Sequence, residues 1–430
     1  MIHRPKRESV PVNVKVIDAI MGAGKTSFAI QLMQEADSFT KFIYVTPFLT
    51  EVERIKTSVT NRDFKEPDTK HGSGTKLESL KRLIKADENI ATTHELFSMA
   101  DDELMELLEW GNYVLIVDEV MEVISQVQDL RKHDIPVLLN SGLIEISEDS
   151  SVIWKADPKT DTQYNKVRDY ALAGNLYSGA DNTAFLWNFP AKVFKLFKDV
   201  YIMTYMFDGQ VQKYYYDLHG IQYTYCGVAK EGNRYRLIPK EETIEDRAYF
   251  KELIQIYEGN LNDLGNSKTA LSLRWFENRH NADKLKQLQN NLYNYFQNIT
   301  DAKADEIMWT TFKDFKEKLK GKGYSKEADK NGNTGCFTSW NLRATNQYKH
   351  KTTLAFCLNR YMNPIEKNFF SQNGITVDVE LLALSDLLQW LFRSAVREGK
   401  PVQVYIPSKR MRNLLTKWLD GELSQNTYAA

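Results

Sequence analysis

The sequence predicts an α/β fold in two domains with parallel sheets, and three observations carry this prediction. Strand-like and helix-like segments alternate through both halves of the chain, which is the pattern of domains with parallel sheets. A β-rich run over residues 12–17 leads through a glycine-containing loop into an amphipathic stretch that starts near Lys25. A continuous apolar run, residues 113–117, is typical of a strand buried on both faces of a parallel sheet.

The bulk composition limits the class of protein. The chain has 430 residues, enough for two or three domains, and 42% of them are hydrophobic. A net charge of −1 means that any nucleic-acid surface has to be a local patch. The three cysteines are too scattered for a disulfide framework or a Cys-x-x-Cys metal site. We find no bilayer-spanning run and no signal peptide, and therefore expect a cytoplasmic protein without a membrane partner.

The loop after the first strand has the pattern of a phosphate loop. From Ala19 to Thr26 it reads Ala-x-x-x-x-Gly-Lys-Thr, with Ala19 in place of the first glycine. Glycines let backbone N–H groups turn toward phosphate oxygens at a helix N-terminus. Lys25 is expected to reach the β- and γ-phosphates, and the Thr26 hydroxyl to hold Mg²⁺. The predicted ATP-binding residues are Gly22, Ala23, Gly24, Lys25, Thr26 and Ser27. A glycine-rich turn with a chance Lys-Thr is the alternative.

Two adjacent carboxylates follow the apolar run 113–117. In a parallel sheet, ligands bind at the carboxyl ends of the strands, so Asp118 and Glu119 should face the phosphate loop. Asp118 is expected to hold Mg²⁺, and Glu119 to orient and deprotonate the attacking water. The alternative is an acidic N-cap for the helix that follows.

The remaining elements are predicted from their periodicity. Apolar and β-branched runs predict strands at residues 41–47, near 89, and at 199–207, 306–312 and 353–358. Helical spacing predicts helices at residues 50–59, 76–86, 104–108 and 271–299. The sequence becomes rich in tyrosine after residue 208, and we place a domain boundary near Leu218. The predicted domains are residues 1–218, with an inserted segment at about 125–198 that contains a hairpin at 143–154, and residues 219–430.

A third run contains two arginines at helical spacing. If residues 384–397 form one helix, Gln389, Arg393 and Arg397 stand four apart and share a face. Two guanidinium groups on one face suit bidentate contacts with phosphates. A solvated basic helix face is the alternative. Further on, Lys409, Arg410 and Arg412 form a basic cluster that would contact a nucleic-acid backbone or face water.

Together these runs resemble the ordered motifs of superfamily 2 helicases, the DEAD/DEAH-like group, and most closely the branch encoded by tailed phages. The resemblance covers nearly the whole chain. Beyond the phosphate loop and Asp118-Glu119, the matching segments are Thr46-Pro47, Thr92-Thr93-His94, Thr204-Tyr205, residues 341–346 and residues 389–397. Thr204-Tyr205 occupies the place of the motif that links hydrolysis to strand movement in this group of helicases.

The resemblance implies two RecA-like P-loop NTPase domains with an ATP cleft between them. It implies ATP hydrolysis by Lys25, Asp118, Glu119, Gln389, Arg393 and Arg397, with Mg²⁺ on Thr26 and Asp118. Contacts to nucleic acid, single-stranded or branched DNA above all, are implied for Thr46, Pro47, Thr93 and Asn346. Replication or recombination proteins are the implied partners, and the host cytoplasm the implied location.

The chain departs from the family pattern at three points. Val120 and Met121 follow Asp118-Glu119, where the family has Ala-Asp or x-His. The two arginines are four residues apart instead of three, which leaves open which one is the arginine finger. No adenine-reading glutamine motif precedes the phosphate loop.

Two other functions share the phosphate loop and the Asp-Glu pair. A packaging-motor ATPase should carry a nuclease domain with clustered acidic residues after the ATPase, whereas residues 219–430 contain an arginine-bearing run. A P-loop switch or loader would bind ATP and a partner protein without unwinding, and nucleic acid would not stimulate its hydrolysis.

Overall fold

A computed structural model of the chain describes residues 13–70, 74–128, 130–131, 133–179, 182–329, 334–341 and 346–423. The chain forms two compact units. The first contains residues 13–19, Ala23–Thr243 and Met362–Val377, and the second contains Ile20–Gly22, Ile244–Tyr361 and residues 378–423.

Strands and helices alternate along the described chain. The strands are β1 (Asn13–Asp18), β2 (Lys41–Thr46), β3 (Phe64–Lys65), β4 (Asn89–Thr93), β5 (Tyr113–Asp118), β6 (Ile124–Gln126), β7 (Ile144–Ile146), β8 (Val152–Trp154), β9 (Leu176–Ser178), β10 (Phe185–Asn188), β11 (Asp199–Thr204), β12 (Tyr223–Glu231), β13 (Arg234–Pro239), β14 (Ile254–Ile256), β15 (Ile307–Thr310), β16 (Thr353–Phe356) and β17 (Val402–Tyr405). The helices are α1 (Lys25–Glu35), α2 (Leu49–Ser58), α3 (Lys76–Lys85), α4 (His94–Phe97), α5 (Asp102–Trp110), α6 (Asp134–Asn140), α7 (Asn165–Leu172), α8 (Val211–Leu218), α9 (Arg247–Leu253), α10 (Leu273–Glu277), α11 (Ala282–Asn294), α12 (Lys316–Leu319), α13 (Pro364–Gln372), α14 (Val379–Leu391) and α15 (Lys409–Leu419).

The main sheet of the first unit has the order β13-β12-β1-β11-β5-β2-β4-β3. Its neighbouring strands are parallel except for the β12–β13 hairpin. The residues of β5 are all buried, as their continuous apolar run predicts. Because parallel strands end at the same edge of a sheet, the segments that follow β1, β11, β5, β2 and β4 meet there.

The first unit extends beyond the predicted boundary near Leu218. Strand β12 pairs with β1, with Tyr223 opposite Val14, so the tyrosine-rich segment adds a hairpin to the first sheet. The chain changes unit between Thr243 and Ile244 instead. The change in composition that suggested a new domain therefore marks an antiparallel extension of the old one.

The predicted insertion carries a small sheet of its own. Strands β6, β10 and β9 form a three-stranded antiparallel sheet, and β7 and β8 form the predicted hairpin. Its apolar cluster includes Leu138, Trp154 and Phe185. The later helix α13 also belongs to the first unit, where Phe369 packs on Tyr177 with ring centroids 6.0 Å apart.

The second unit contains a parallel sheet with the order β14-β17-β16-β15. Its core is aromatic, and Phe296, Trp309 and Tyr405 are completely buried. Each unit thus has a parallel sheet with helices, the RecA-like arrangement, and the predicted fold class is confirmed. None of the helices in the described part of the chain combines the length and apolar character needed to cross a membrane.

Candidate functional site

The predicted phosphate loop lies between the end of β1 at Asp18 and the start of α1 at Lys25. Gly22 and Gly24 have φ angles of +88° and +98°, in the left-handed region that favours glycine. The Lys25 ammonium donates to the Ala19 carbonyl oxygen. The Ala19 N–H donates to the carbonyl oxygen of Thr204 at 3.1 Å, which ties the loop to the end of β11.

The loop has room for a phosphate chain. A Cβ atom built on Gly22 would meet no atom within 4 Å, so the space beside this residue is open. Thr26 is half-buried and Ser27 is exposed, at the first turn of a helix whose N-terminal N–H groups favour an anion. Glycines with positive φ, open space, a lysine and a hydroxyl are the features that an ATP·Mg²⁺ complex requires of this loop.

Asp118 and Glu119 lie at the same edge of the sheet, each with 8% of its surface exposed. Burial raises the pKa of Asp118 to about 6, and the negative charges of Glu119 and Glu51 add to the effect. A buried carboxylate that is held near other negative charges is stabilised by a bound cation. This environment suits the Mg²⁺ role that the sequence predicts for Asp118.

Glu119 has an unusual backbone conformation. Its φ is +64°, and its N–H donates to the carbonyl oxygen of Met203 at 2.9 Å. A non-glycine residue in the left-handed region is strained by about 1–2 kcal/mol, and such strain concentrates at functional sites.

The sequence analysis missed three residues around Asp118. Glu51 on α2 is 9% exposed and pairs with Arg54 at 2.9 Å. Tyr44 is completely buried on β2, and burial together with the charge of Asp118 raises the pKa of its hydroxyl well above the usual value. Tyr44 is surrounded in sequence by apolar residues, which predict only a strand. Its position near Asp118 depends on how the strands are arranged in the sheet and not on the sequence of β2.

A buried ion pair that the sequence analysis did not predict lies at the base of the loop. Asp18 is fully buried, and the Lys240 ammonium lies 3.5 Å from its Oδ1 and donates to its carbonyl oxygen at 2.6 Å. The Asp18 carboxylate also accepts from the backbone N–H groups of Met206 and Phe207, at 2.9 and 3.0 Å. Burial raises the pKa of Asp18, and Lys240 opposes that shift. Asp18 therefore connects the phosphate loop to the turn after β11.

Thr204-Tyr205 is held in the same turn. The Gln210 side-chain amide donates to the Thr204 hydroxyl at 2.9 Å and to the Tyr205 carbonyl oxygen at 2.7 Å. Both residues are buried. The segment that the resemblance connects with strand movement is thus bonded to the base of the phosphate loop through Asp18 and Ala19.

The expectation that Gln389, Arg393 and Arg397 share one helix face is wrong. Helix α14 ends at Leu391, and Ser394 donates its hydroxyl to the Leu391 carbonyl oxygen at 2.6 Å. A serine that bonds to the backbone in this way competes with continuation of the helix. Gln389 and Arg393 are 3% and 2% exposed, whereas Arg397 is half-buried in a separate 3₁₀ turn.

The residues expected to contact nucleic acid differ in exposure. Thr46 is fully buried, so its hydroxyl is not on the surface as the prediction requires. Thr93 caps α4, with its hydroxyl accepting from the Leu96 N–H at 3.3 Å. Pro47 is half-buried and Asn346 is exposed. The rest of the matching run, residues 342–345, lies outside the described residues.

Two members of the basic cluster have structural partners. Arg410 forms an ion pair with Glu380 at 2.8 Å and donates to the Asn359 side chain at 2.9 Å. Arg412 donates to the carbonyl oxygen of Ile406 at 2.8 Å. Lys409 is exposed, so it is the member of the three that is available to a backbone phosphate.

No group of three or more His, Cys, Asp or Glu side chains among the described residues is arranged to hold a metal ion. The predicted Mg²⁺ ligands come instead from two different elements: Thr26 lies in the first turn of α1, and Asp118 ends β5. Mg²⁺ is commonly held by one or two protein groups together with substrate phosphates and waters, so this pair fits a cation that arrives with a nucleotide.

Two segments of the chain match known families. Residues 248–419 match the YonV C-terminal Rossmann-like domain, and residues 124–187 match the YonV middle domain. The second match covers most of the predicted insertion. Over 420 residues the chain is 40% identical to the SPbeta prophage-derived uncharacterized protein YonV of Bacillus subtilis (strain 168), covering 95% of this chain and 99% of that protein.

The fold resembles solved structures of XPD. A structure named XPD_APO superimposes with a TM-score of 0.52 at 15% identity, covering 95% of each chain. Another, named XPD_Helicase, gives a TM-score of 0.49 at 13% identity, covering 95% of this chain and 94% of that one. At these identities the likeness is one of fold, and it rests on the first structure.

Proposed function

The chain belongs to the YonV family, and we propose that it is an ATP-dependent nucleic-acid helicase or translocase of superfamily 2. The observation that carries the proposal is the edge of the first sheet. There the phosphate loop follows β1, and Asp118-Glu119 follows β5, with β11 between the two strands. A nucleotide in the loop would have its γ-phosphate directed toward the carboxylates.

Each side chain at this edge has a distinct chemical role. Bound ATP·Mg²⁺ supplies the anhydride bond to be cleaved and a cation that neutralises developing charge. Lys25 would bind the β- and γ-phosphates, and Thr26 and Asp118 would hold the cation. Glu119 orients a water and takes its proton as that water attacks the γ-phosphorus and the bond to the bridging oxygen breaks. Arg397, the more exposed arginine, is our candidate for the arginine finger.

The contacts of Asp18 suggest how hydrolysis would affect the rest of the unit. Asp18 and Ala19 bond to the turn at residues 204–207, immediately after the strand beside β5. A change in the loop on loss of the γ-phosphate would therefore reach Thr204-Tyr205 through hydrogen bonds. This connection supports the coupling role that the resemblance implies for Thr204-Tyr205.

The proposed polymer substrate is single-stranded or branched DNA, bound mainly through its backbone. The XPD-like fold and the prophage origin of the relative support this choice, together with a role in phage replication or recombination in the host cytoplasm. Backbone binding requires affinity that falls steeply with salt and depends little on sequence. Pro47, Thr93 and Asn346 are the proposed contacts that the structure leaves at least partly exposed.

The test is ATP turnover by the full chain with and without single-stranded DNA, duplex DNA and RNA. We expect stimulation by nucleic acid, no hydrolysis by Lys25→Ala, and retained ATP binding without turnover by Glu119→Gln. Glu122→Gln changes an exposed carboxylate three residues further on and serves as the matched control. Normal turnover by Glu119→Gln would contradict the catalytic assignment. ATP hydrolysis that no nucleic acid stimulates would favour the switch or loader instead.

A further inference from the structure

Tyr235 lies against the phosphate loop. A Cβ atom built on Gly24 would be 2.3 Å from Cε1 of Tyr235 and 2.8 Å from its Cδ1. These two atoms lie on the side of the ring nearest Gly24, and the Lys230 ammonium lies over the ring at 5.8 Å from its centroid. Tyr235 is half-buried, so part of the ring is accessible beside the loop.

The position of Tyr235 is fixed by the helix that starts at the loop. Gln31 of α1 accepts a hydrogen bond from the Tyr235 N–H at 2.8 Å and donates to its carbonyl oxygen at 3.2 Å. Strand β13 lies at the edge of the sheet. The Gln31 side chain forms the hydrogen bonds to Tyr235 that a further strand would otherwise form. On the other side, Tyr235 pairs with Lys230 of β12. The ring also packs against the apolar cluster of the first sheet that includes Phe28 and Val228, so backbone bonds and side-chain packing together hold it beside the loop.

The strand order indicates which part of a nucleotide reaches this ring. Asp118-Glu119 lies on one side of β1, beyond β11, and the β12–β13 hairpin lies on the other. A nucleotide whose γ-phosphate points toward the carboxylates carries its nucleoside toward the hairpin. We propose that Tyr235 stacks on the base of the bound nucleotide, an inference that rests on the ATPase function proposed above.

Stacking on a single aromatic ring has a recognisable specificity. Every base has a π-face, so the ring distinguishes bases by the overlap they offer and not by their hydrogen-bonding groups. Purines offer two fused rings, and pyrimidines offer one. We therefore expect ATP and GTP to bind with similar affinity, and both to bind more tightly than CTP or UTP. This agrees with the absence of an adenine-reading glutamine motif before the loop.

The experiment compares nucleotides with inorganic tripolyphosphate, which fills the loop but carries no base. Calorimetry on the full chain with Mg²⁺ and non-hydrolysable ATP or GTP analogues should show affinity about tenfold or more lower for Tyr235→Ala. Tripolyphosphate should bind the variant and the wild type equally. Tyr235→Phe keeps the ring and should behave as wild type. Tyr235→Leu keeps apolar packing without a π-face, and should bind tripolyphosphate normally and nucleotide weakly if the alanine variant does not fold.

A matched control is available on the same hairpin. Tyr225 packs on Phe207 with ring centroids 6.2 Å apart and donates its hydroxyl to Asp208 at 2.5 Å, so Tyr225→Phe should leave nucleotide affinity unchanged. Equal weakening of tripolyphosphate and nucleotide in the leucine variant would overturn the proposal, because Tyr235 would then act on loop shape. Unchanged nucleotide affinity would also overturn it while leaving the ATPase proposal intact. A wild-type chain that binds neither ligand would overturn both.

Discussion

Replacing Gly24 by alanine should destabilise the protein more than the same change at Gly22. Both glycines have positive φ, +98° and +88°, where a residue with a Cβ atom loses about 1–2 kcal/mol. At Gly24 the new Cβ would also lie 2.3 Å from the Tyr235 ring, and overpacking costs about 1–3 kcal/mol more. We expect the free energy of unfolding to fall by about 2–5 kcal/mol for Gly24→Ala and by about 1–2 kcal/mol for Gly22→Ala.

The two contributions at Gly24 are separated by a double-mutant cycle. Because the Tyr235 ring packs against the apolar cluster that includes Phe28 and Val228, it cannot move away freely, and removing the ring should release the collision. In a Tyr235→Ala background, Gly24→Ala should therefore lower the free energy of unfolding only by the cost of a positive φ. The assay is urea unfolding without nucleotide, and the expected coupling free energy is about 1–3 kcal/mol.

Either of two results would refute this reasoning. Equal destabilisation by Gly22→Ala and Gly24→Ala would mean that backbone strain alone matters and that Tyr235 does not contact the loop in solution. A coupling free energy near zero between Gly24→Ala and Tyr235→Ala would lead to the same conclusion.

Three further predictions concern residues outside the loop. Lys240→Met leaves Asp18 buried without its cation and should lower the free energy of unfolding by about 3–5 kcal/mol at neutral pH. Because burial already raises the pKa of Asp18, the folded variant should hold a proton more strongly than the unfolded chain, so its deficit in urea unfolding should shrink as the pH is lowered toward the unfolded pKa. Arg410→Ala should lower the free energy of unfolding by about 2 kcal/mol, measured by urea unfolding, because it removes charged hydrogen bonds, while Lys409→Ala should leave it unchanged. Arg397→Ala should lower ATP turnover by about 10³-fold without a matching loss of ATP affinity, and normal turnover would exclude it as the arginine finger.

The fold class could be predicted because its signals are local. The phosphate loop, with its strand and helix, occupies about 20 consecutive residues, and β5 is recognisable from six. Each pattern has a physical cause that acts within the segment, either glycines that permit a positive φ or burial on both faces of a sheet. The order of these elements along the chain then indicates parallel sheets.

The contacts that shape the site are not local. Asp18 and Lys240 are 222 residues apart in sequence, and no pattern in either segment points to the other. Tyr235 lies in a hairpin that the predicted boundary near Leu218 assigned to the second domain. The arginine run shows a different limit, since residues four apart suggest a helix whether or not a serine ends it first. The Ser394 hydroxyl donates to the carbonyl oxygen of Leu391, three residues earlier, where α14 ends.

The backbone of Glu119 has a consequence for how this protein can change over generations. At a φ of +64°, glycine is the residue that fits without strain. A library of variants selected only for heat resistance should therefore accumulate glycine at position 119 and lose ATP turnover. A library sorted for turnover should keep the carboxylate. The two selections would therefore lead to different residues at position 119. The residue found there would show whether stability or ATP turnover had been selected.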